Sequence, residues 1–592
     1  MSVIQAMDKL TPKQLGENGN VEYTWSNNIR ERVIQFYVQL VRTSDTSDLE
    51  KQLHSMLQEF TRKDLHNYKN FSDILAHEED LTYLYTMIAH TRDITNGKGE
   101  YNLAYMMIWV WYQYYPQLAK RTIRRFVILD RSNEHPYGSW KDLKYMCEYV
   151  RERTGMKDHP LINYCIDLMI EQLQKDEYKR LLNQPISLAA RWIPREKSSK
   201  FGWIYKKFVR RMYSGYFETS AHHGKDRQMA AYKKASMLTR KKLSSLNKYI
   251  DTTQIKMCGQ EWRTINFNNV TSITMQKCKA AFQNVKRSSS TVEQRSTSED
   301  RVLCSHNLEA HVKEVMEGSD GKVIHGKRAS LYGMVKSAMS ALSINHTDEI
   351  DKNIINLQWN DNASQNTSLG KIIPMCDTSG SMETDNCIPL YSAIGLSLRV
   401  SQMAEPLFRD RILTFSATPE WVNVSEYPTF VDKVQRLRTV NWGMNTNFYS
   451  AMKLILDSIV EAQIPPENVD DLTLAVFSDM QIDCASNENM NTLYENIKEM
   501  YANAGLQSVY RMPYTPPHIL FWNLRSTSGF PCLSTTKNTT MLSGYSPVLL
   551  NAFCNKGMDA LREYSPYRMM KDILSNERYK CQAQDIIELH YI

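Results

Sequence analysis

No CxxC pair occurs among the 11 cysteines, which are scattered singly and odd in number. That excludes a zinc ribbon, argues against a disulfide framework and points to a reducing compartment. No apolar run is long enough to span a bilayer. The longest, residues 104–115 (AYMMIWVWYQYY), reads as a buried helix. The start, MSVIQAMDKLTPKQ, lacks the apolar core of a secretory signal. Glycine and proline are sparse, 22 and 19 in 592 residues, which excludes a collagen-like or low-complexity chain. These absences lead us to expect a soluble, intracellular, cytoplasmic protein that does not enter a membrane.

Net charge is also scarce, with 72 basic against 65 acidic residues and a net of +7. The sum hides two unlike parts. Residues 368–592 hold 18 basic and 24 acidic residues, a net of −6, which leaves +13 for residues 1–367. The stretch 191–256 alone carries 17 basic and 4 acidic residues, again +13.

Residues 28–342 place apolar side chains at three- and four-residue spacing, as in IRERVIQFYVQLVR, LTYLYTMIAHTRDI and LINYCIDLMIEQLQK. They predict an all-α, helical-repeat-like module over about 1–345. Residues 286–301 (KRSSSTVEQRSTSEDR) lack apolar content and read as a mobile insertion, and 346–368 as an interdomain linker. From 369 to 592 short apolar runs (KIIPMC, RILTF, LTLAVF, HILFW) alternate with helical stretches. That order predicts an α/β, doubly wound, mainly parallel sheet. The fold class expected is therefore multidomain.

Directly after the first predicted strand stands CDTSGSM, a D-x-S-x-S pattern of Asp377, Ser379 and Ser381. In an open α/β sheet ligands gather beyond the carboxyl ends of the strands. A carboxylate and two hydroxyls are hard oxygen donors, suited to Mg²⁺ or Mn²⁺ rather than zinc. Two more strand-end loops, NWGMNTN with Thr446 and FSDM with Asp479, supply further oxygens. The plainer alternative is an N-capping turn and a loop acid. The three loops together are similar to the metal-ion-dependent adhesion site (MIDAS) of von Willebrand factor A (vWA) domains. That resemblance implies a metal set of Asp377, Ser379, Ser381, Thr446 and Asp479, with an open position for a carboxylate from a protein partner.

The strings CDTSGSM, NWGMNTNF, VFSDMQID, FWNLR and LSGYS, with RDITNGKGE, YGSWKDL, LAARWIPREKSSKFG and KMCGQEW before them, resemble the DUF2828 family. That family of uncharacterized proteins occurs in giant viruses of the Mimivirus type and in plants; a viral member would work in the host cytoplasm. This chain departs at Asn447 and at Gln481-Ile482-Asp483, none of them an implied direct ligand. A helical module followed by an A domain, with Arg92, Asp93, Gly97, Lys98 and Gly99 as R-D-x-x-x-G-K-G, is similar to Ro-type TROVE proteins. Those bind RNA ends and small structured RNAs.

The 191–256 stretch interleaves its charges with Trp192, Phe201, Trp203, Tyr205, Phe208 and Tyr213. Phosphates favour Lys and Arg while unpaired bases stack on aromatic faces, which suits single-stranded RNA. Candidate contacts are Arg191, Lys206, Lys207, Arg210 and Arg211, then Lys233, Lys234, Arg240, Lys241 and Lys242, with Arg92 and Lys98 added by the Ro-type resemblance. A solvated helix face, an acidic protein, or the chain's own acidic part are the alternatives. Catalysis is not expected. Position 379 is Ser where an aspartyl-phosphate enzyme needs Asp, and two-metal nucleases need more carboxylates than Asp377 and Asp479. The expectation is a non-enzymatic binding protein; a pure protein scaffold and a metal-dependent phosphodiesterase are the other readings.

Overall fold

The computed structural model describes residues 12–589 except 17–18, 20, 63–70, 130–134, 219–223, 288–291, 344–348, 416–418, 441–447, 470–471, 481–491, 528 and 555–562. The predicted helical spacing becomes a succession of packed helices. The Ile29–Gln39 helix starts where the Asn28 side chain accepts hydrogen bonds from the Arg30 and Glu31 amides, satisfying donors that a first turn leaves open. The Tyr101–Tyr114 helix buries Leu103, Ala104, Met106, Met107, Ile108, Val110 and Trp111. Apolar almost all round, it lies inside the bundle. The helical part is not purely α: β1 (Lys13–Leu15) pairs with β2 (Val21–Tyr23), and β3 (Val285–Arg287) with β4 (Val292–Gln294).

Of the stretch 286–301, residues 286–287 and 292–294 belong to this antiparallel pair and 299–301 begin the Glu299–Met316 helix, while 288–291 lie outside the described residues. The linker expected over 346–368 is corrected. Residues Glu349–Ala363 form a helix that buries Ile354, Ile355 and Trp359. Trp359 stacks on Phe430 at 3.9 Å between ring centroids, and the Arg399 guanidinium covers it at 3.9 Å. The many Asn and Gln obscured one apolar face: Asn362 bonds to the carbonyls of Gly326, Lys327 and Ala329, and Gln358 to those of Ser272 and His325.

The C-terminal part is α/β, as expected. Strands β5 (Ile372–Asp377), β6 (Arg411–Phe415), β7 (Glu420–Asn423), β8 (Thr473–Ser478), β9 (His518–Asn523) and β10 (Thr539–Ser543) form one sheet in the order β10-β9-β8-β5-β6-β7. All pairings are parallel except β6 with β7. Strands β5, β8, β9 and β10 are buried along their whole length, the pattern of a sheet covered on both faces. From β5 the chain runs outward to β6 and β7 and then returns to place β8 on the other side. The order therefore reverses between β5 and β8.

The two parts share one apolar core, continuous from Val33 to Ile586. Polar ties cross between them. Arg578 binds Asp93 through Nε and Nη2 (2.5 and 2.8 Å), Arg121 and Arg125 bind Asp585, and Lys571 reaches Glu79 at 2.7 Å. Tyr23 and Phe530 exchange backbone hydrogen bonds of 3.0 and 2.9 Å. Among the described residues no helix is long and apolar enough to cross a membrane.

Candidate metal centre and candidate nucleic-acid interface

Strand β5 ends on Asp377, and its neighbour β8 ends on Ser478 with Asp479 next. Parallel pairing in the register Cys376–Phe477 brings these ends together at the switch point of the sheet, where open α/β folds place their ligands. Asp377 Oδ1 accepts from the Ser379 amide at 2.9 Å, and Oδ2 accepts from Ser478 Oγ at 2.6 Å. Ser478 Oγ in turn accepts from the Met480 amide at 3.0 Å. The Ser379 and Ser381 hydroxyls lie 3.1 Å apart. Asp377, Ser379 and Asp479 are buried and Ser381 stands at the rim. Four of the five sequence-predicted oxygen donors thus converge. Thr446, the fifth, lies outside the described residues.

Arginine 525 is the member that sequence reasoning missed. It follows β9, its amide donates to Asn523 Oδ1 at 3.0 Å, and its Nε lies 3.0 Å from Asp479 Oδ2. The available signal was its place in FWNLR, at the end of a strand like the other loops. Asp377 and Asp479 are thus buried at neighbouring strand ends, with Arg525 against Asp479. Burial, and then the charge of Asp479, push the Asp377 carboxyl up to about 7, against the pull of the Ser478 and Ser379 hydrogen bonds. An ordinary aspartate titrates near 4, so Asp377 resists ionising in this buried place beside a second carboxylate. Among the described residues no three His, Cys, Asp or Glu side chains gather as a metal cluster. The donor set is two carboxylates and hydroxyls, and its all-oxygen chemistry fits a hard divalent cation.

The proposed nucleic-acid contacts separate into two groups. Arg92 and Lys98 are corrected: both are interior. Arg92 grips Asp142 with Nε and Nη2 at 3.0 and 2.7 Å. Lys98 Nζ donates to the carbonyls of Tyr37 (2.8 Å) and Leu40 (3.0 Å) and to Ser543 Oγ (2.6 Å). Its loop is pressed against the end of the Phe71–Arg92 helix so closely that a Cβ on Gly97 would sit 2.0 Å from the His90 carbonyl oxygen. The glycines permit that approach. The segment ties the helix ends to strand β10 and offers nothing to a phosphate.

The remaining candidates lie on the Gly202–Met212 and Lys225–Ile250 helices, with Arg191 just before them. Lys206, Arg210, Arg211, Lys233, Lys234, Arg240 and Lys241 are exposed, while Arg191, Lys207 and Lys242 are half-buried. The aromatics Tyr205 and Phe208 face the core instead, so that face carries charge with few stacking platforms. Four cations are paired within the helical part, Lys207 with Asp158, Arg211 with Asp167, Arg240 with Glu196 and Lys242 with Glu177. Among the described residues none of the candidate cations from 191 to 242 pairs with the acidic C-terminal part.

Comparison with known proteins accords with this two-part layout. Over 584 residues the chain is 25% identical to an uncharacterized protein of Acanthamoeba polyphaga mimivirus, covering 94% of this chain and 86% of that protein. The crystal structure of the Deinococcus radiodurans RO (RSR) protein aligns over 89% of this chain and 99% of that one, at 11% identity and a TM-score of 0.39. That score is too low to establish a common fold. Residues 371–588 match the model of DUF7788, a domain of unknown function, which takes in the DTSGS and FSDM loops. Residues 159–372 match that of DUF2828, also a domain of unknown function. The resemblance to DUF2828 is therefore borne out over residues 159–372, and the stretch with the CDTSGSM, VFSDMQID, FWNLR and LSGYS strings is similar to DUF7788.

Proposed function

We propose that the chain is a non-enzymatic binding protein with two working surfaces. The C-terminal part acts as a vWA-like module that takes Mg²⁺ or Mn²⁺ among Asp377, Ser379, Ser381, Thr446 and Asp479. Such an ion supplies an open coordination position for a partner's carboxylate. The observation that carries this reading is the pair of buried carboxylates, Asp377 and Asp479, brought side by side with the Ser379 and Ser381 hydroxyls at the β5 and β8 ends. Asp377 is fixed by Ser379 and Ser478, so its orientation is set before any cation arrives. Arg525 must leave Asp479 for an ion to use that oxygen.

The helical part presents exposed cations on the Gly202–Met212 and Lys225–Ile250 helices, and this supports binding of RNA or another polyanion. The metal half is tested by unfolding the intact protein with and without Mg²⁺. A rise in stability with Mg²⁺ that Asp377→Ala abolishes is expected, and equal behaviour of both proteins would reject it. The polyanion half is tested with labelled single-stranded RNA at two salt concentrations. Counterion release demands a steep loss of affinity as salt rises, and no binding at low salt would leave a protein scaffold. Cleavage of the RNA with Mn²⁺, lost in Asp479→Ala, would overturn the non-enzymatic reading.

A further inference from the structure

An open pocket of about 500 Å³ lies where the 193–201 loop meets the Lys141–Thr154 helix, lined by Lys144, Arg191, Arg195, Lys197, Ser198 and Phe201 together with Ile193 and Pro194. That is the volume of a small-molecule site. Four of the eight residues are cationic and none is acidic. Unlike the paired cations of the neighbouring helices, Lys144, Arg191, Arg195 and Lys197 form no ion pair among the described residues.

The nearby acids are already engaged elsewhere. Glu196 takes Arg240 and Ser236, Glu148 takes Arg151 and the Trp203 indole N–H, and Asp142 takes Arg92. Lys144 Nζ instead rests over the rings of Trp192 and Phe201, 4.8 and 5.2 Å from their centroids, and Arg191 lies 5.4 Å from that of Trp192. Lys144 and Arg191 are half-buried. Burial pulls both below their ordinary range, and for Lys144 the charges of Lys141 and Arg195 add to it. Partly desolvated like charges gathered around a pocket are costly together unless an anion joins them.

We infer that this pocket is a nucleoside-phosphate site, seating a terminal phosphate among Lys144, Arg191, Arg195 and Lys197 and a base against Phe201, Ile193 and Pro194. A terminal phosphate carries close to two negative charges at neutral pH and three acceptor oxygens, and arginine meets such oxygens two at a time. The apolar wall formed by Phe201 distinguishes the site from a simple inorganic-anion patch. The ligand is either a free nucleotide or the phosphorylated end of an RNA strand. The pocket is separate from the exposed cations of the Lys225–Ile250 helix, so it does not depend on that face binding RNA.

The test measures binding of AMP, adenosine and inorganic phosphate to the full chain by calorimetry, beside 5′-phosphorylated and 5′-hydroxyl oligoadenylate of equal length. AMP binding at least tenfold tighter than adenosine and phosphate identifies a free nucleotide. A tenfold preference for the phosphorylated oligonucleotide, with AMP weaker, identifies a strand end. Either preference is expected to fall at least tenfold in Lys144→Ala/Arg191→Ala. The single variant Lys197→Ala, at an exposed position, should weaken it several-fold without the folding burden of the double change. Charge reversal at Lys233, Lys234 and Lys241 should leave the preference intact while weakening RNA binding of both oligonucleotides alike. If neither AMP nor the 5′-phosphate is preferred, or if the preference survives in both pocket variants, the inference is wrong.

Discussion

Replacing Arg525 by Met removes the cation beside Asp479 while keeping most of the side-chain stem. In the wild-type protein the guanidinium Nε stands 3.0 Å from Asp479 Oδ2, with Asp479 fully buried and the arginine about one-fifth exposed. Breaking a buried ion pair by removing one partner costs about 3–5 kcal/mol. Partial exposure of Arg525 lets water screen the site, so we expect the low end of that range, about 3 kcal/mol, in chelator-treated protein. The carboxylates of Asp377 and Asp479 then lie at neighbouring strand ends without the Arg525 guanidinium against Asp479. Added Mg²⁺ meets no competitor in this variant, whereas in the wild type it must first displace Arg525. At a concentration one hundred times its dissociation constant, a ligand specific for the folded state contributes about 2.7 kcal/mol. Mg²⁺ should therefore restore most of the lost stability. The midpoint of its effect should fall at a lower concentration than in the wild type. The assay is urea unfolding followed by tryptophan fluorescence across a Mg²⁺ series. A second change, Asp479→Asn, in the same background should recover stability without metal and abolish the Mg²⁺ response. If Arg525→Met gains no more from Mg²⁺ than the wild type does, Arg525 is not the group a cation replaces.

Three further outcomes follow from the interior. Lys98→Met removes the side-chain donor of the Leu40 carbonyl, while that of Tyr37 still accepts from the Leu40 amide and Ser543 Oγ; at about 1–3 kcal/mol for an unsatisfied group, denaturant unfolding should show a loss of that size, with RNA affinity unchanged in filter binding. Trp359→Ala removes the ring stacked on Phe430 and covered by Arg399 and should cost about 3–5 kcal/mol; a near-neutral result in a thermal melt would return residues 349–363 to linker status. His90 is fully buried between Tyr37 and Tyr579, and burial, then the charge of Lys98, pushes it down to about 3. An unfolded histidine titrates near 6.5, so the unfolded chain binds the extra proton and stability falls as pH drops from about 6.5 toward 3. At pH 5 this loss amounts to about 2 kcal/mol, and His90→Gln should lessen the pH dependence of the unfolding midpoint by that amount.

Legibility in the sequence followed the range of the interactions concerned. The C-terminal strands were readable because KIIPMC, LTLAVF and HILFW are buried on both faces and so are continuous apolar runs. Strand β7 was not, since EWVN is an edge strand with one buried residue, and β10, TTMLS, hides three polar side chains in a buried row. The Asp377 loop was legible from local spacing and its position after a strand. Its pairing with Asp479 depends on β5 and β8 lying side by side, which the order of loops suggested. The Arg525 contact depends on β9 as the next strand over, and no local pattern encodes that.

The misread residues have a common physical cause. Arg92, Lys98, Asp93 and Asp142 are charged residues in a turn-rich segment, and by composition such a segment belongs at the surface. Here each charge meets a partner from a distant part of the chain. Arg92 meets Asp142, Asp93 meets Arg578, and Lys98 meets the end of the Ile29–Gln39 helix and Ser543. Sequence distances of 50, 485 and 445 residues separate three of these pairs. Their burial follows only once the final helices pack against the Phe71–Arg92 helix. The same logic separates the cations that remain available. In the 191–256 stretch most paired charges find acids within about 50 residues, and these bridges hold surface helices together. What is left over is a set of exposed cations on the Gly202–Met212 and Lys225–Ile250 helices and the group around Lys144 and Arg191. Net charge by segment could not distinguish them, because it counts a lysine that holds a helix end and a lysine that awaits an anion as equal.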